Sequence, residues 1–513
     1  MNKLLGPDWK ADLSAGFTLF LIALPLSVGI ALASGAPASA GIVAAILGGM
    51  LGSLIGGSQV TINGPAAGLI VVILGAVEAF GHGNAALGFQ MTLVAICLAG
   101  LLEIIFGALK LGSLALSFPN SVIHGMLAAI GIIIMIKQLP VALGSSASGH
   151  GIIPMLLQVP HYIANMNPSL AIITISGLFV MIVHPYIPFK FVKRIPAPLM
   201  VVGLGIAWAS IFELGPNFLL HIPSDFSKAI ITPDFSQWNS LLTLKWGFTI
   251  AIIAALESTL SVYAIDKIDP QKRTSNLNKD LMSKGVVTFF LGLIGGIPII
   301  AEIVRSSANI EEGAKTFRSN FLHGMFVLTF VALFPSLLQK IPLASLASIL
   351  MVVCFRLAHP KHFKHAFHIG FDNALPFLTT LLMTLFTDLL IGIACGVIME
   401  VGVKLFMKVG PMQFFKQDLQ THNSNDEVTL VIKGPCLFSH YLKIKNTVQV
   451  HSQNNQSIVL DLSISPFVDY TFLEQIERLK EDLAAQGTTL KLVFSQDHTP
   501  ISHHEYASRR LAG

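Results

Sequence analysis

Gly56-Gly57-Ser58-Gln59-Val60-Thr61-Ile62-Asn63-Gly64-Pro65 and Gly295-Gly296-Ile297-Pro298 interrupt two apolar stretches of this chain, and each runs into a short helix-forming segment. Glycine and proline both disfavour a helix interior, so each lead reads as extended backbone. The surrounding apolar runs predict elements near 13–33, 38–56, 65–80, 88–108, 118–136, 169–186, 197–214, 245–263, 281–297, 302–311, 319–336, 342–355, 373–387 and 389–408. The two interrupted elements are third in the first seven and third in the second seven. Interrupted segments at corresponding positions of two halves predict inverted repeats with a binding site near the bilayer midplane.

Composition points the same way. Of 513 residues, 53% are hydrophobic and 12% charged, whereas a soluble domain carries about 25% charge. The lipid bilayer is the natural solvent for such a chain. The first run, from about Leu13 to Ala33, is too long for the apolar core of a cleavable leader and reads as a retained span. The formal net charge is only +4, and no basic run interleaves with aromatics, so nucleic acid is not an expected partner. Cys97, Cys354, Cys395 and Cys436 form no Cys-x-x-Cys pair, and three lie in apolar runs, where they read as small buried hydrophobes.

With the N-terminus inside, the inside loops hold Lys110, Lys190, Lys193, Arg194, Lys267, Lys272, Arg273, Lys279, Lys284, Lys315, Arg318, Arg356, Lys361 and Lys364. The outside loops hold Lys137, Lys228, Lys245 and Lys340. Cytoplasmic loops collect Lys and Arg, so both termini are expected in the cytoplasm of a multi-pass cell-membrane protein (the inner membrane in a bacterium). Gly48, Gly52 and Gly56 share one helix face and predict close helix packing.

Composition shifts after Lys408. Residues 1–410 read as the transmembrane domain and 421–513 as a cytoplasmic domain that starts in Thr421-His422-Asn423-Ser424-Asn425. Glu427–Lys433, Ser457–Leu462 and Thr489–Ser495 read as strands, and Leu473, Ile476, Leu479 and Leu483 recur at helical spacing. That order predicts a small α/β domain. It has no phosphate loop or nucleophile elbow, so no enzyme is expected.

A charge inside a membrane is expensive and marks function. Arg305 lies on the short tenth element, in Glu302-Ile303-Val304-Arg305-Ser306-Ser307-Ala308-Asn309. The first turn of a helix leaves N–H groups unpaired and carries partial positive charge. The third element is expected to supply a second such end, starting at Gly64-Pro65-Ala66. Two facing helix ends and one guanidinium make an anion site without metal; pairing of Arg305 with Glu302 or Glu257 is the structural alternative. Glu257, with Ser261 one turn away, is the candidate for taking up a proton or sodium, or else for a fixed ion pair between the eighth and tenth elements. Glu103 and Glu400 read as interhelical hydrogen-bonding groups and Asp388 as a solvated turn residue. His359, His362, His365 and His368 recur every three residues without an acidic or Cys partner, and no metal site is expected there.

These residues resemble the sulfate permease (SulP) family. The similarity rests on Ala23-Leu24-Pro25-Leu26 with Gly29 and Ala33-Ser34-Gly35, the Gly64-Pro65 start of span three, and Glu257-Ser258. It continues in Val304-Arg305-Ser306-Ser307-Ala308-Asn309 with Gly313-Ala314-Lys315-Thr316. The C-terminal region is similar to a STAS domain through Ile458-Val459-Leu460-Asp461-Leu462 and Phe467-Val468-Asp469. The resemblance implies an all-α transporter of fourteen elements as seven-plus-seven inverted repeats, split into core and gate and followed by the STAS-like domain. It implies binding of a small inorganic anion, sulfate or bicarbonate, at Gly64, Pro65, Ala66, Ala67, Val304, Arg305 and Ser306. Transport by alternating access and a homodimer are implied as well. Bicarbonate carriers of the family place sodium at the positions of Glu257 and Ser261, where they have Asp and Thr, so a proton or sodium is the implied coupling ion. Two departures stand out: Ala66-Ala67 replace a frequent hydroxyl residue, and Tyr470 replaces the Ser or Thr of a phospho-switch. Dicarboxylate or nucleobase permeation and a non-transporting sensor or motor are the competing readings.

Overall fold

The computed structural model describes residues 8–145, 152–189, 192, 195–221, 230–387, 389–423, 427–452, 457–485 and 487–511. Lys190, Lys193, Arg194, Lys228, Asp388, Ser424 and Asn425 lie outside them. The helices of the first half are α1 (Trp9–Ala33), α2 (Ala38–Ile55), α3 (Ile70–Gly81), α4 (Ala85–Ala108), α5 (Asn120–Leu143), α6 (Ile152–Leu157), α7 (Val159–Ala164), α8 (Pro168–Val183) and α9 (Ala197–Ile211). Then come α10 (Leu241–Ile268), α11 (Leu277–Ile294), α12 (Ile303–Glu311), α13 (Arg318–Leu333), α14 (Pro335–Leu338), α15 (Leu343–Leu357), α16 (Pro360–Ile369), α17 (Phe371–Phe386) and α18 (Leu389–Phe406).

A helix overlaps every element expected from the sequence, but the number fourteen counts helices and not complete crossings. Among the described residues eight stretches are long and apolar enough to span a membrane, while α3, α9 and α17 are shorter apolar helices. A second correction concerns the third element. Its helix starts at Ile70, and Asn63–Pro65 form a strand, β1, instead. Pro65 lacks an N–H, and this stretch is held by a partner strand. Ile299–Ala301 form β2, paired antiparallel with β1 in the register Asn63↔Ala301, Gly64↔Ile300 and Pro65↔Ile299. The two Gly/Pro-broken leads thus meet each other.

The chain divides into two compact units: Met1–Gly112 with Ile130–Leu357 form one, and Ser113–Ala129 with Ala358–Gly513 the other. In the first unit Phe20, Leu24, Ile42, Val327 and Ile349 bury a core shared by α1, α2, α13 and α15. Close approach depends on small residues. A Cβ on Gly49 would come within 2.7 Å of the Gly324 Cα, and one on Gly48 within 3.0 Å of the Asn63 carbonyl oxygen. The glycine face of α2 therefore seats β1 as well as a helix. Lys284, counted above among loop cations, is buried within α11 and bonded to Asp280. Glu103 departs from its expected role, because it is fully buried and neither carboxylate oxygen has a hydrogen-bond partner. It faces the backbone of α11 at Gly285, where helix N–H groups are already paired.

In the second unit a four-stranded sheet comprises β3 (Leu419–Asn423), β4 (Glu427–Ile432), β5 (Ser457–Asp461) and, beyond β6 (Phe467–Val468), β7 (Thr489–Val493). Its order is β3-β4-β5-β7, with β3 antiparallel to β4 and the other pairs parallel. The parallel crossovers are made by α19 (Tyr441–Ser452) and α20 (Tyr470–Ala485). Val428, Leu430 and Ile432 alternate into the core of this domain. β8 (His498–Pro500) and β9 (Arg509–Leu511) join β6 in a smaller sheet. The helices of the same unit hold a buried ion cluster: Lys404 Nζ is 3.3 Å from Glu400 Oε1 and 3.5 Å from Asp372 Oδ2. The Ser508 hydroxyl donates to Asp372 Oδ2, and Ser121 Oγ donates to Glu400 Oε2 (3.0 Å) as an interhelical bond. Burial pushes the Asp469 carboxyl upward, although it accepts the Phe438 and Phe472 N–H groups and faces Lys404.

Candidate functional site

The β1–β2 pair puts the start of α12 beside the lead into α3. The Glu302 N–H donates to the Ile62 carbonyl (2.9 Å), and Ile62 N–H donates to Ser306 Oγ (2.8 Å). Asn309 Nδ2 donates to the Val60 carbonyl (2.8 Å) and to Ser319 Oγ (2.9 Å), while Asn63 N–H donates to Asn320 Oδ1 (3.3 Å). One polar face of α12 is therefore tied to the extended lead. Arg305, Ser306 and Asn309 are buried on that face, whereas the Ile303 and Val304 side chains are exposed.

Arg305 is 1% exposed. Its Nη1 donates to Ser27 Oγ of α1 (3.3 Å), and its Nε and Nη2 have no hydrogen-bond partner among the described residues. The guanidinium lies over Gly64, where a Cβ would come within 2.5 Å of Nη1. Among the described residues no carboxylate lies within 4.0 Å of it, so the simple ion pair with Glu302 or Glu257 is not formed. A buried guanidinium with two unused donors is costly unless a ligand of opposite charge meets it.

Glu257 lies on α10 and is buried, with Oε1 unpaired. Its carboxylate covers Gly68, where a Cβ would lie 1.6 Å from Oε1. The next residue, Ser258, accepts the Ala301 N–H (3.1 Å), which fastens Glu257 beside β2 and the start of α12. Ser261 is buried one turn along. The structure thus gathers Gly64, Pro65, Arg305 and Glu257 around the paired strands, and Ala66 and Ala67 lie in the connection from β1 to α3, ahead of the turn at Gly68 and Leu69. The N–H groups of Ile303, Val304 and Arg305 form the first turn of α12, where donors are unpaired by helix geometry. The Ser306 hydroxyl oxygen accepts the Ile62 N–H, which leaves its own O–H as a donor.

Two residues were not legible as parts of this region. Ser27 is one of three hydroxyl residues, with Ser14 and Thr18, in an apolar span. Asp12, read as lying ahead of the first span, is fully buried in α1 and accepts the Lys315 N–H (2.8 Å), the Thr316 N–H (3.0 Å) and the Thr316 hydroxyl (2.6 Å). It fixes the segment after α12. Glu302 N-caps α12 without a side-chain capping bond, and its Oε1 is buried and unpaired.

Residues 9–380 match the sulfate permease family and residues 417–499 match the STAS domain. The chain is 30% identical over 407 residues to the bicarbonate transporter BicA of Picosynechococcus sp., covering 77% of this chain and 70% of that protein. It is 27% identical over 464 residues to the putative sulfate transporter YvdB of Bacillus subtilis, covering 88% and 85%. The solved transmembrane domain of a cyanobacterium bicarbonate transporter BicA is similar with a TM-score of 0.68 at 25% identity, over 76% of this chain and 98% of that one. The overall structure of SLC26A9 has a TM-score of 0.69 at 16% identity, over 94% and 84%, a likeness of fold alone.

Proposed function

Because this chain belongs to the sulfate permease family, we propose that it moves a small inorganic anion, sulfate or bicarbonate, across a cell membrane as a secondary transporter, with Arg305 and the first turn of α12 holding the anion. The observation that carries this reading is the buried Arg305 guanidinium, with Nε and Nη2 unpaired, at a helix N-terminus. Arg donors and first-turn N–H groups act together on an oxyanion. Gly64 keeps the opposite wall to bare backbone, so an anion can approach the guanidinium closely.

Glu257 is the coupling group in this reading. An anion beside Arg305 raises the free energy of a neighbouring carboxylate, and a proton or sodium ion there offsets it. Coupling of this kind is reciprocal, so the cation tightens anion binding by the same factor. Alternating access by movement of the strand-bearing core, a homodimer, and cytoplasmic termini complete the proposal. The test is flux of labelled sulfate and labelled bicarbonate into proteoliposomes. Uptake by the wild-type chain and none by Arg305→Ala is the expected result. Equal uptake by both, from well-folded protein, would remove the site from this position.

A further inference from the structure

We propose that Glu302 makes the site selective for an oxyanion that carries its own O–H hydrogen, hydrogencarbonate over sulfate, by accepting that hydrogen on its carboxylate. The inference rests on the transport reading above and assigns a substrate class to the same site.

Arg305 offers Nε and Nη2, both buried and unpaired, and α12 offers its first-turn N–H groups. These suit any oxyanion. Glu302 adds the opposite element. It is the N-cap residue of α12, three positions before Arg305, with a buried Oε1 that no group among the described residues bonds and no side-chain capping bond to the helix. Ion pairing within 4.0 Å does not consume it. An ionised carboxylate only accepts hydrogen bonds. Fully ionised sulfate also only accepts, so it leaves the Glu302 oxygen unbonded and sets like charges together. Hydrogencarbonate has two oxygens for the arginine and one O–H for the carboxylate, which satisfies both sides.

Net charge acts in the same direction. The groups that face one another here are Glu257 from α10, Glu302 and Arg305, with Ser27 from α1 and the buried His323 of α13 beside the arginine. Counted with both carboxyls ionised and the imidazole neutral, two carboxylates and one guanidinium sum to −1. A divalent anion would take the site to −3, and a monovalent one to −2, which a single coupling cation returns to its starting charge. Buried like charges are costly. Sites built to bond a ligand hydrogen reject analogues that lack it much more strongly than sites that discriminate by size.

The test is a competition measurement in proteoliposomes at a pH where hydrogencarbonate is the main carbonate species. Labelled hydrogencarbonate and labelled sulfate are each taken up by wild type, Glu302→Gln and Glu302→Asp. Wild type is expected to favour hydrogencarbonate. Glu302→Gln, which supplies an N–H donor as well as an acceptor, is expected to lower the hydrogencarbonate-to-sulfate ratio by about tenfold, with thermal stability unchanged. Glu302→Asp keeps the acceptor and should retain the preference, and it reports the ratio should the Gln variant fail to fold. A wild-type preference for sulfate, or a Gln variant with the wild-type ratio, overturns the inference while leaving anion transport standing. Absence of uptake of both anions by folded wild-type protein overturns the transport reading itself, and this inference with it.

Discussion

The guanidinium of Arg305 rests on the α-carbon of Gly64: a Cβ at residue 64 would come within 2.5 Å of Nη1. Residue 64 is on β1 and pairs with Ile300 on β2, so the arginine and the space that it needs come from opposite halves of the chain. Glu257 repeats the relationship with Gly68. Arg305 and Glu257 each stand where the other half of the chain has no side chain.

Gly64→Ala and Gly68→Ala therefore test the site by crowding. Forced overpacking costs about 1–3 kcal/mol, and the displaced side chain loses its aim. Gly64→Ala is expected to weaken anion binding, and Gly68→Ala to weaken the response to a cation gradient. Equilibrium binding and vesicle uptake report these separately. Wild-type behaviour from both variants would show that neither contact matters.

Arg305→Ala removes the buried cation. Breaking a buried charge partnership costs about 3–5 kcal/mol, so anion affinity should fall by about 100-fold or more. Arg305→Lys restores charge but not the planar fork, and should recover only part of the affinity. Isothermal titration on detergent-purified protein distinguishes the three.

Glu257→Gln keeps the shape of the side chain and removes its charge. Anion exchange should persist, while uptake should no longer accelerate under an imposed pH or sodium gradient. Gradient-driven accumulation equal to wild type would reduce the carboxylate to a packing role. Ser258→Ala is a companion: it removes the acceptor of the Ala301 N–H (3.1 Å), and is expected to lower stability by about 1–3 kcal/mol, measured by thermal unfolding.

Lys404 holds two acids, Glu400 and Asp372, in a buried cluster. Lys404→Met leaves both without their cation, and should destabilise the protein by about 3–5 kcal/mol. The triple change that also makes Glu400→Gln and Asp372→Asn should recover much of that loss. A chain ended at Lys416 also loses the Ser508 bond to Asp372. It is expected to unfold at lower temperature yet still bind the anion, because Arg305 and Glu257 belong to the other compact unit. Loss of binding from a folded, shortened chain would contradict that separation.

Much of this protein was legible in the order of its residues. Apolar runs located the helices, because the bilayer demands a long hydrophobic stretch wherever a helix crosses. The Gly/Pro leads marked the interrupted elements, because neither residue sustains a helix. Glu257 and Arg305 stood out because charge is rare in such surroundings. Period-two alternation in Glu427–Ile432 and helical spacing in Tyr470–Ala485 showed the α/β domain, whereas the two- and three-residue strands β6, β8 and β9 were too short to leave a pattern. What only the tertiary structure decided is pairing at long range. That β1 meets β2, moving the start of α3 to Ile70, depends on backbone hydrogen bonds, which side-chain periodicity does not encode. That Gly64 lies under Arg305 and Gly68 under Glu257, that Ser27 bonds the arginine and that Asp12 caps a segment 303 residues away, depend on which faces the folded helices present to one another. A glycine or a serine carries no sign of its partner until packing brings the two together.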